Sequence, residues 1–488
     1  MPSFIHILRH LLRGLLWLAG IGAGVSLAQD VSAPLNALPS LLSSPRPHRE
    51  AVLTPVPESF DWIDRDVPPN PRLEAFLARH APSHNLQFSI SLSEEFSDNT
   101  DQEDEDAETE FETSIELDTV YRVQWPSSFI SLANSLEADY EAKQKEADIG
   151  FVNFALQAGY RFLRLSLALS ESLVRDNDLE VASASGIRVN QNNFLRNQVT
   201  PQIRYTLSRR TGLHLAYTNT IVIEEGDADE DDEDEDRENS ISHAITARIR
   251  HRLSQTLEGN LSYTFFTDRE DSDDTYEHRM AARVGYRFSP NVQLSFRTFG
   301  ILTERDRREM DAERYGAAVG MTYQLGPDLG LFAEVGATRF GRDDNGQETR
   351  ANWQIGLDGE WEISPRATLE FTSNQRITNT ADEVEDVGLV LRQSFDLEFN
   401  YELTSALEIE LFATYIRTDF LEERGRTTAD QDREDVFWRA GTELSYEISE
   451  NWSVSLEYRH RQRDSNDDAN DFKENQVTFT LSSDFSVF

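Results

Sequence analysis

Charged residues recur at alternate positions in several stretches of the chain, and this spacing indicates the chemistry they can do. Arg248, Arg250 and Arg252 are each separated by one residue, and so are Glu408 and Glu410. Residues at alternate positions of an extended strand lie on one face, so each stretch would present a row of like charges. Guanidinium groups bind carboxylates and phosphates, often in a bidentate manner. The rows therefore predict a surface that attracts or orients charged and dipolar solutes.

Residue sets that could support catalysis are few. The sequence has no cysteine, which excludes thiolate nucleophiles, thiolate metal ligands and disulfides. It also has no glycine-rich phosphate loop and no spacing typical of zinc sites. His214 shares the face of an arginine row, but no acidic residue is placed to orient it. We therefore expect that the protein is not an enzyme and that it has no tightly bound cofactor.

The elements that would position the charges are β-strands. From residue 86 to residue 488, apolar and polar residues alternate in twenty segments, as in Leu213, Leu215 and Tyr217 with His214 between the first two, and one of these segments is 348–363. A period of two predicts strands with one apolar and one polar face. Long, mostly acidic connections follow the odd-numbered segments, and turns of one to four residues follow the even-numbered ones. This regular order predicts antiparallel strands joined up and down.

Two segments precede the predicted strands. Residues 1–28 have a positively charged start, a short apolar stretch and the small-residue cleavage site Ser26-Leu27-Ala28, which together predict a secretory signal peptide. Residues 29–85 contain ten of the sixteen prolines, which favours an extended or disordered segment that could include one short helix after Asn70. This segment is either a solvated linker or a part that rests in the mouth of the fold or touches a partner.

The signal peptide, the twenty segments and the two kinds of connection resemble the porin-like class of Gram-negative outer-membrane β-barrels. The resemblance implies an all-β fold over residues 86–488, a transmembrane antiparallel up-and-down β-barrel of roughly 20 strands (about 18–22). It also implies short turns in the periplasm, long loops outside and insertion by the barrel assembly machinery. Apolar faces would contact outer-membrane lipid, and polar faces would line the lumen. The net charge of −42 argues against nucleic acid as a partner.

In such a barrel the charged rows would lie on two walls of the lumen. The basic wall comprises Arg161, Arg204, Arg248, Arg250, Arg252, Arg283 and Arg287. The acidic wall comprises Glu360, Glu362, Glu398, Glu402, Glu408, Glu410 and Glu447. In a closed ring of twenty strands the eighth faces the eighteenth, so the two walls would oppose each other and create a transverse field. The alternative is that these charges only solvate the lumen or pair with near neighbours such as Glu258.

The acidic loops allow three interpretations. They are solvated surface, or weak Ca²⁺ or Mg²⁺ sites that bridge to lipopolysaccharide phosphates, or a filter that repels anions. The candidate metal ligands are Asp231 and Asp232 in the longest acidic run, and Asp464 and Asp468 in a stretch that resembles the start of an EF-hand loop. Ala469 stands where an EF-hand needs glycine, so this would be a weak site.

Two functions remain open from the sequence. The first is a porin-like channel for passive diffusion of small polar solutes across the outer membrane. The second is an accessory barrel for export or surface assembly of exopolysaccharide or another surface polymer, with residues 29–85 in the periplasm bound to a partner. The sequence does not distinguish a monomer from a trimer.

Overall fold

The structure, a computed structural model, consists of strands and short turns wherever the chain is described. The described residues are 83–99, 109–142, 146–177, 193–225, 240–270, 274–305, 312–326, 329–342, 346–358, 361–379, 388–423, 433–466 and 471–487. The predicted signal peptide and nearly all of the proline-rich segment lie outside these ranges.

Twenty-one β-strands follow one another along the described chain. Their bounds are β1 Ser83–Ser97, β2 Glu110–Trp125, β3 Ser128–Glu141, β4 Glu146–Phe162, β5 Leu165–Asn177, β6 Asn193–Ser208, β7 Thr211–Glu225, β8 Ser240–Arg252, β9 Leu257–Glu270, β10 Asp274–Ser289, β11 Val292–Arg305, β12 Ala312–Gln324, β13 Gly330–Arg342, β14 Gly346–Asp358, β15 Trp361–Ser364, β16 Ala367–Asn379, β17 Gly388–Glu402, β18 Leu407–Glu423, β19 Glu434–Ser449, β20 Trp452–Ser465 and β21 Phe472–Ser486.

The strands form one closed antiparallel barrel. Nearly every strand pairs with its neighbours in sequence, and β1 pairs with β21 from Gln87 to Ser97, which closes the ring. β14 and β15 are two parts of one crossing, since both pair with β16. The barrel therefore has twenty crossings, and the predicted fold class is confirmed. The prediction of a single strand over 348–363 is wrong, since this stretch is split into β14 and β15.

The connections define the two ends of the barrel. At one end, two to five residues join consecutive strands, as at 163–164 between β4 and β5. Leu163 in this turn has φ 48°, the positive value that tight hairpin turns require. We call this the short-turn end. At the opposite end, which we call the long-loop end, the connections reach fifteen residues, as at 178–192.

The apolar faces of the strands point away from the lumen. On β8, Ile241, Ile245 and Ile249 are exposed on the outside, whereas Thr246 bonds Thr264 of β9 on the inside. Backbone groups in lipid must be paired within the protein, and a closed barrel achieves this while it exposes apolar side chains. No helix in the described ranges is long and apolar enough to cross a membrane.

Small polar residues hold the seam where the ring closes. Ser93 of β1 bonds Thr480 of β21 at 3.0 Å on the lumen side, and Phe88 stacks on Phe485 on the outside with ring centroids 5.0 Å apart. At the long-loop end, the Asn475 backbone N–H and side-chain amide donate to the two carboxylate oxygens of Asp98 at 2.6 and 2.7 Å. The first and last strands are thus joined along their full height.

One stretch of wall departs from this regularity. β14 pairs with β13 along its whole length from Gly346 to Asp358, but it pairs with β16 only from Trp353 to Gly356. Towards the long-loop end, the two strands separate. The predicted strand 348–363 is split because β14 and β15 pair with different parts of β16. The register of this pairing shifts by two residues between β14 and β15.

We predict that the two faces of a mid-height strand differ in their tolerance of charge. Ile245→Arg should lower the free energy of unfolding by about 2–4 kcal/mol, because the outside of the barrel at this height faces hydrocarbon. Thr246→Arg, one residue on and facing the lumen, should cost less than about 1 kcal/mol, because water screens its charge. Denaturant titrations of both variants in lipid vesicles measure the difference. Equal costs would contradict the assignment of the faces.

Candidate functional site

A ring of equivalent positions surrounds the lumen at the short-turn end. On eight strands, an inward-facing residue near the short-turn end donates its backbone N–H to a carbonyl of the preceding short turn, at 2.7–3.0 Å. The bonds include Arg161 to Ser127, Arg252 to Arg210 and Glu447 to Ala406. The same backbone contact recurs around the barrel, so these residues sit at one height. We call this set the mouth ring; it comprises Arg161, Thr206, Arg252, Arg287, Gln324, Glu402, Glu447 and Asp484.

The charges of the mouth ring are separated by sign. Its arginines lie on β4, β8 and β10, whereas Glu402, Glu447 and Asp484 lie on β17, β19 and β21. The backbone of Glu362 pairs with Thr368 at the corresponding place on β15. Asp484 was missed in the sequence analysis. It faces Ser89 of β1 across the seam, and that position became evident only when the last strand was paired with the first.

The basic wall continues above the mouth ring on β6, β7 and β8. Arg204, His214 and Arg248 form one row across these three strands. The imidazole Nε2 of His214 lies 3.3 Å from the side-chain oxygen of Gln202. His214 therefore faces the lumen, as expected from the alternation, beside two guanidinium groups and an amide.

Part of the basic wall is neutralised by its neighbours. The Arg250 Nε and Nη2 groups donate to the two carboxylate oxygens of Glu258 at 2.8 and 3.0 Å. Arg297 likewise bonds Glu334. Arg283 stands directly opposite Arg297 in the ladder between β10 and β11. Pairing with near neighbours, the alternative left open by the sequence, is thus observed for Arg250.

The acidic wall is most concentrated on β16 to β20. Glu410, Glu443 and Glu457 form one row across β18, β19 and β20. Glu398 stands opposite Glu370, and Glu402 stands opposite Glu408. Glu360 lies outside the described residues, and only the backbone of Glu362 is described. In strand order, β6 to β8 lie half a ring from β17 to β19.

Above the acidic row, the same wall carries arginines that the sequence analysis missed. Arg459, Arg461 and Arg463 alternate on β20 and are all buried. The Arg459 Nε donates to Glu457 at 2.8 Å, and the Arg461 Nη2 donates to Glu474 at 2.9 Å. Ser97 of β1 also donates to Glu474, at 2.9 Å. The long-loop half of this wall is therefore a buried network of charges that joins β20, β21 and β1.

Phenylalanines also point inward, each over a glycine of the next strand. Phe129 covers Gly159, Phe299 covers Gly316, Phe332 covers Gly356 and Phe412 covers Gly441; each ring occupies the space that a side chain on the glycine would need. Such aromatic–glycine pairs are used to stabilise curved sheets. Each ring therefore packs on the backbone of the neighbouring strand.

The candidate metal ligands are not gathered into a site among the described residues. Asp464 is exposed on β20 and accepts a hydrogen bond from Gln462 at 2.7 Å. Asp231, Asp232 and Asp468 lie outside the described ranges. Within those ranges, no group of three or more histidine and acidic side chains could hold a metal ion.

A closed barrel of twenty crossings with apolar residues outside and charged residues inside defines the class of protein. The chain is a porin-like β-barrel of the Gram-negative outer membrane. Residues 357–485 match the family described as "Putative beta-barrel porin 2", and residues 134–353 match the family described as "Putative MetA-pathway of phenol degradation". No curated protein sequence matches the chain.

Several solved outer-membrane proteins have a similar fold at low identity. OpdO of Pseudomonas aeruginosa is 14% identical over 83% of this chain and 98% of its own, with a TM-score of 0.40. OpdQ of the same organism is 10% identical over 83% and 100%, with a TM-score of 0.41. OccAB4 of Acinetobacter baumannii is 12% identical over 83% and 98%, with a TM-score of 0.37. These similarities are too low to assign a substrate.

We predict that the buried network on β20 and β21 contributes far more stability than the exposed pair on the basic wall. Glu474→Ala should lower the free energy of unfolding by about 3–5 kcal/mol, because it leaves the guanidinium of Arg461 buried without its carboxylate. Glu258→Ala, which removes the exposed partner of Arg250, should cost less than about 1 kcal/mol. Denaturant titrations in vesicles compare the two variants, and similar costs would contradict the prediction.

Proposed function

We propose that the barrel is a passive diffusion channel for small polar solutes and that the mouth ring is its selective element. The observation that carries this proposal is the separation of charge in the ring, with arginines on one half and carboxylates on the other. In a narrow passage with low-dielectric walls, opposite charges across the lumen produce a transverse field. A solute with a dipole is oriented by that field as it passes.

The charges above the ring would contribute less to the field. Arg250 and Arg297 are paired with Glu258 and Glu334 on their own wall. Glu457, at one end of the acidic row, likewise accepts a hydrogen bond from Arg459 at 2.8 Å. The mouth ring would therefore have the largest effect on selectivity.

We assign the short-turn end to the periplasm and the long-loop end to the outside, as is usual in outer-membrane barrels. β1 runs from Ser83 at the short-turn end to Ser97 at the long-loop end. The alternative function, export of a surface polymer, rests on the class resemblance alone, and the matched family describes a porin. Binding of Ca²⁺ or Mg²⁺ and of lipopolysaccharide by the acidic loops stays a prediction.

We predict that the arginine half of the mouth ring sets selectivity. A triple variant with Arg161, Arg252 and Arg287 changed to Gln should raise the permeability ratio of potassium to chloride in planar bilayers. In liposome swelling, passage of alanine relative to glycerol should fall by about two- to fivefold, because the field that orients the zwitterion is weakened.

The matched control is Arg269→Gln, the same change on the outside of β9 near the long-loop end, which should leave both ratios unchanged. Unchanged ratios in the triple variant would show that the ring charges do not act on solutes. A wild-type barrel that passes no polar solute would contradict the channel itself.

A further inference from the structure

The wall between β14 and β16 is open in the long-loop half of the barrel. The last pair that joins the two strands is Trp353 with Gln375. Beyond it, Gly346 to Asn352 of β14 pair with β13 alone, and Arg376 to Asn379 of β16 pair with β17 alone. An unpaired strand edge is costly in lipid unless its polar groups are satisfied in another way. We call this opening the lateral slit.

Side chains bond two of the backbone carbonyls at the slit. The Gln375 side-chain amide donates to the carbonyl oxygen of Ala351 at 2.8 Å. The guanidinium of Arg314, which comes from β12, donates to the carbonyl oxygen of Ile377 at 3.4 Å. If the ladder continued in register, Ala351 and Ile377 would be partners. The separation is therefore compensated by two side-chain donors, Gln375 on β16 at the edge of the slit and Arg314 on the more distant β12.

The two edges of the slit overlap instead of lying side by side. Phe340 of β13 alternates with outward residues such as Arg339 and Val335, so it points to the lumen. Ile377 and Leu391 lie on the face of β16 and β17 that carries the lipid-exposed Phe395 lower down. Nevertheless Phe340, Ile377 and Leu391 form one buried cluster, with Leu421 packed against it. The upper part of β16 and β17 therefore lies on the lumen side of β13.

We propose that the lateral slit is a route by which small apolar solutes pass between the lumen and the outer leaflet of the membrane. The proposal rests on the channel function, since the solute would reach the slit from the lumen. At the overlap, Phe340, Ile377, Leu391 and Leu421 form the apolar contact between the two sides of the slit, and the exposed charges of Glu348 and Arg350 on β14 lie beside it. Apolar side chains favour an apolar solute, so polar solutes would continue through the mouth ring.

The overlap itself is tested first by crosslinking. In a regular wall, Phe340 and Ile377 would be separated by two strand spacings, each of about 4.8 Å, and they would lie on opposite faces of the sheet. The overlap brings them into one cluster, so the double variant F340C/I377C should react with a short bifunctional methanethiosulfonate. F340C/E348C, a directly paired position on β13 and β14, is the positive control. Reaction of the control pair alone would overturn the overlap.

The route is tested by a modification made after folding. The chain has no cysteine, so Ala351→Cys places one thiol at the exposed edge of the slit. Methanethiosulfonate ethylsulfonate then adds a charge there to the assembled barrel. In cells that lack their own porins, uptake of radiolabelled toluene should fall at least fivefold on modification. The matched control is Ala337→Cys, which is exposed on the same face and directly paired with Ala351 across the intact ladder.

Alanine and glycerol permeation is measured on the same modified proteins and should not change. Two results would overturn the slit as a route. The first is equal toluene uptake by modified and unmodified A351C, and the second is toluene uptake by the wild-type barrel that does not exceed uptake by cells without the barrel. Because polar permeation is read separately, loss of the lateral route leaves the channel intact, whereas absent polar permeation would contradict the channel instead.

Discussion

The need to pair every backbone N–H and C=O group in lipid is the constraint on which the rest of this structure depends. An open sheet would leave two edges in hydrocarbon, and the ring closes them by pairing β1 with β21. Closure reverses the usual arrangement of a soluble protein, since apolar side chains face outward and polar ones face the lumen. The seam follows the same rule, with Ser93, Thr480 and the Asp98–Asn475 pair adding side-chain bonds to the backbone ladder.

The same backbone constraint produces the mouth ring. Eight of the short turns make the same contact between a strand N–H and a turn carbonyl, and this contact sets the height of the inward residue that donates. The backbone is therefore nearly equivalent around the ring, while the side chains differ. Charge can vary from strand to strand without a change of fold, which is why selectivity can reside in this ring. The lateral slit is the place where the constraint is met by side chains instead, through Gln375 and Arg314.

Much of the fold could be predicted from the sequence because period-two alternation and the lengths of the connections are local properties. Nineteen of the predicted strands, such as β8 around Arg248, correspond to single strands in the barrel. The split of β14 and β15 could not be predicted, because Trp353 and Trp361 alternate in the same phase and only the pairing with β16 shows the shift. Asp484 was missed for a similar reason, since its neighbour at the seam lies at the other end of the chain.

Two arginine rows show what the sequence determined and what it left to the tertiary structure. Arg248, Arg250 and Arg252 on β8 have the same spacing as Arg459, Arg461 and Arg463 on β20, and alternation alone places both rows on the lumen side. Yet the Arg250 side chain is 51% exposed, whereas that of Arg461 is 7% exposed beside Glu474. Whether a charge faces water or is buried depends on how other strands pack beside it, including β1, whose Ser97 also bonds Glu474. Local pattern therefore determined the direction of each side chain, and packing between strands decided its environment.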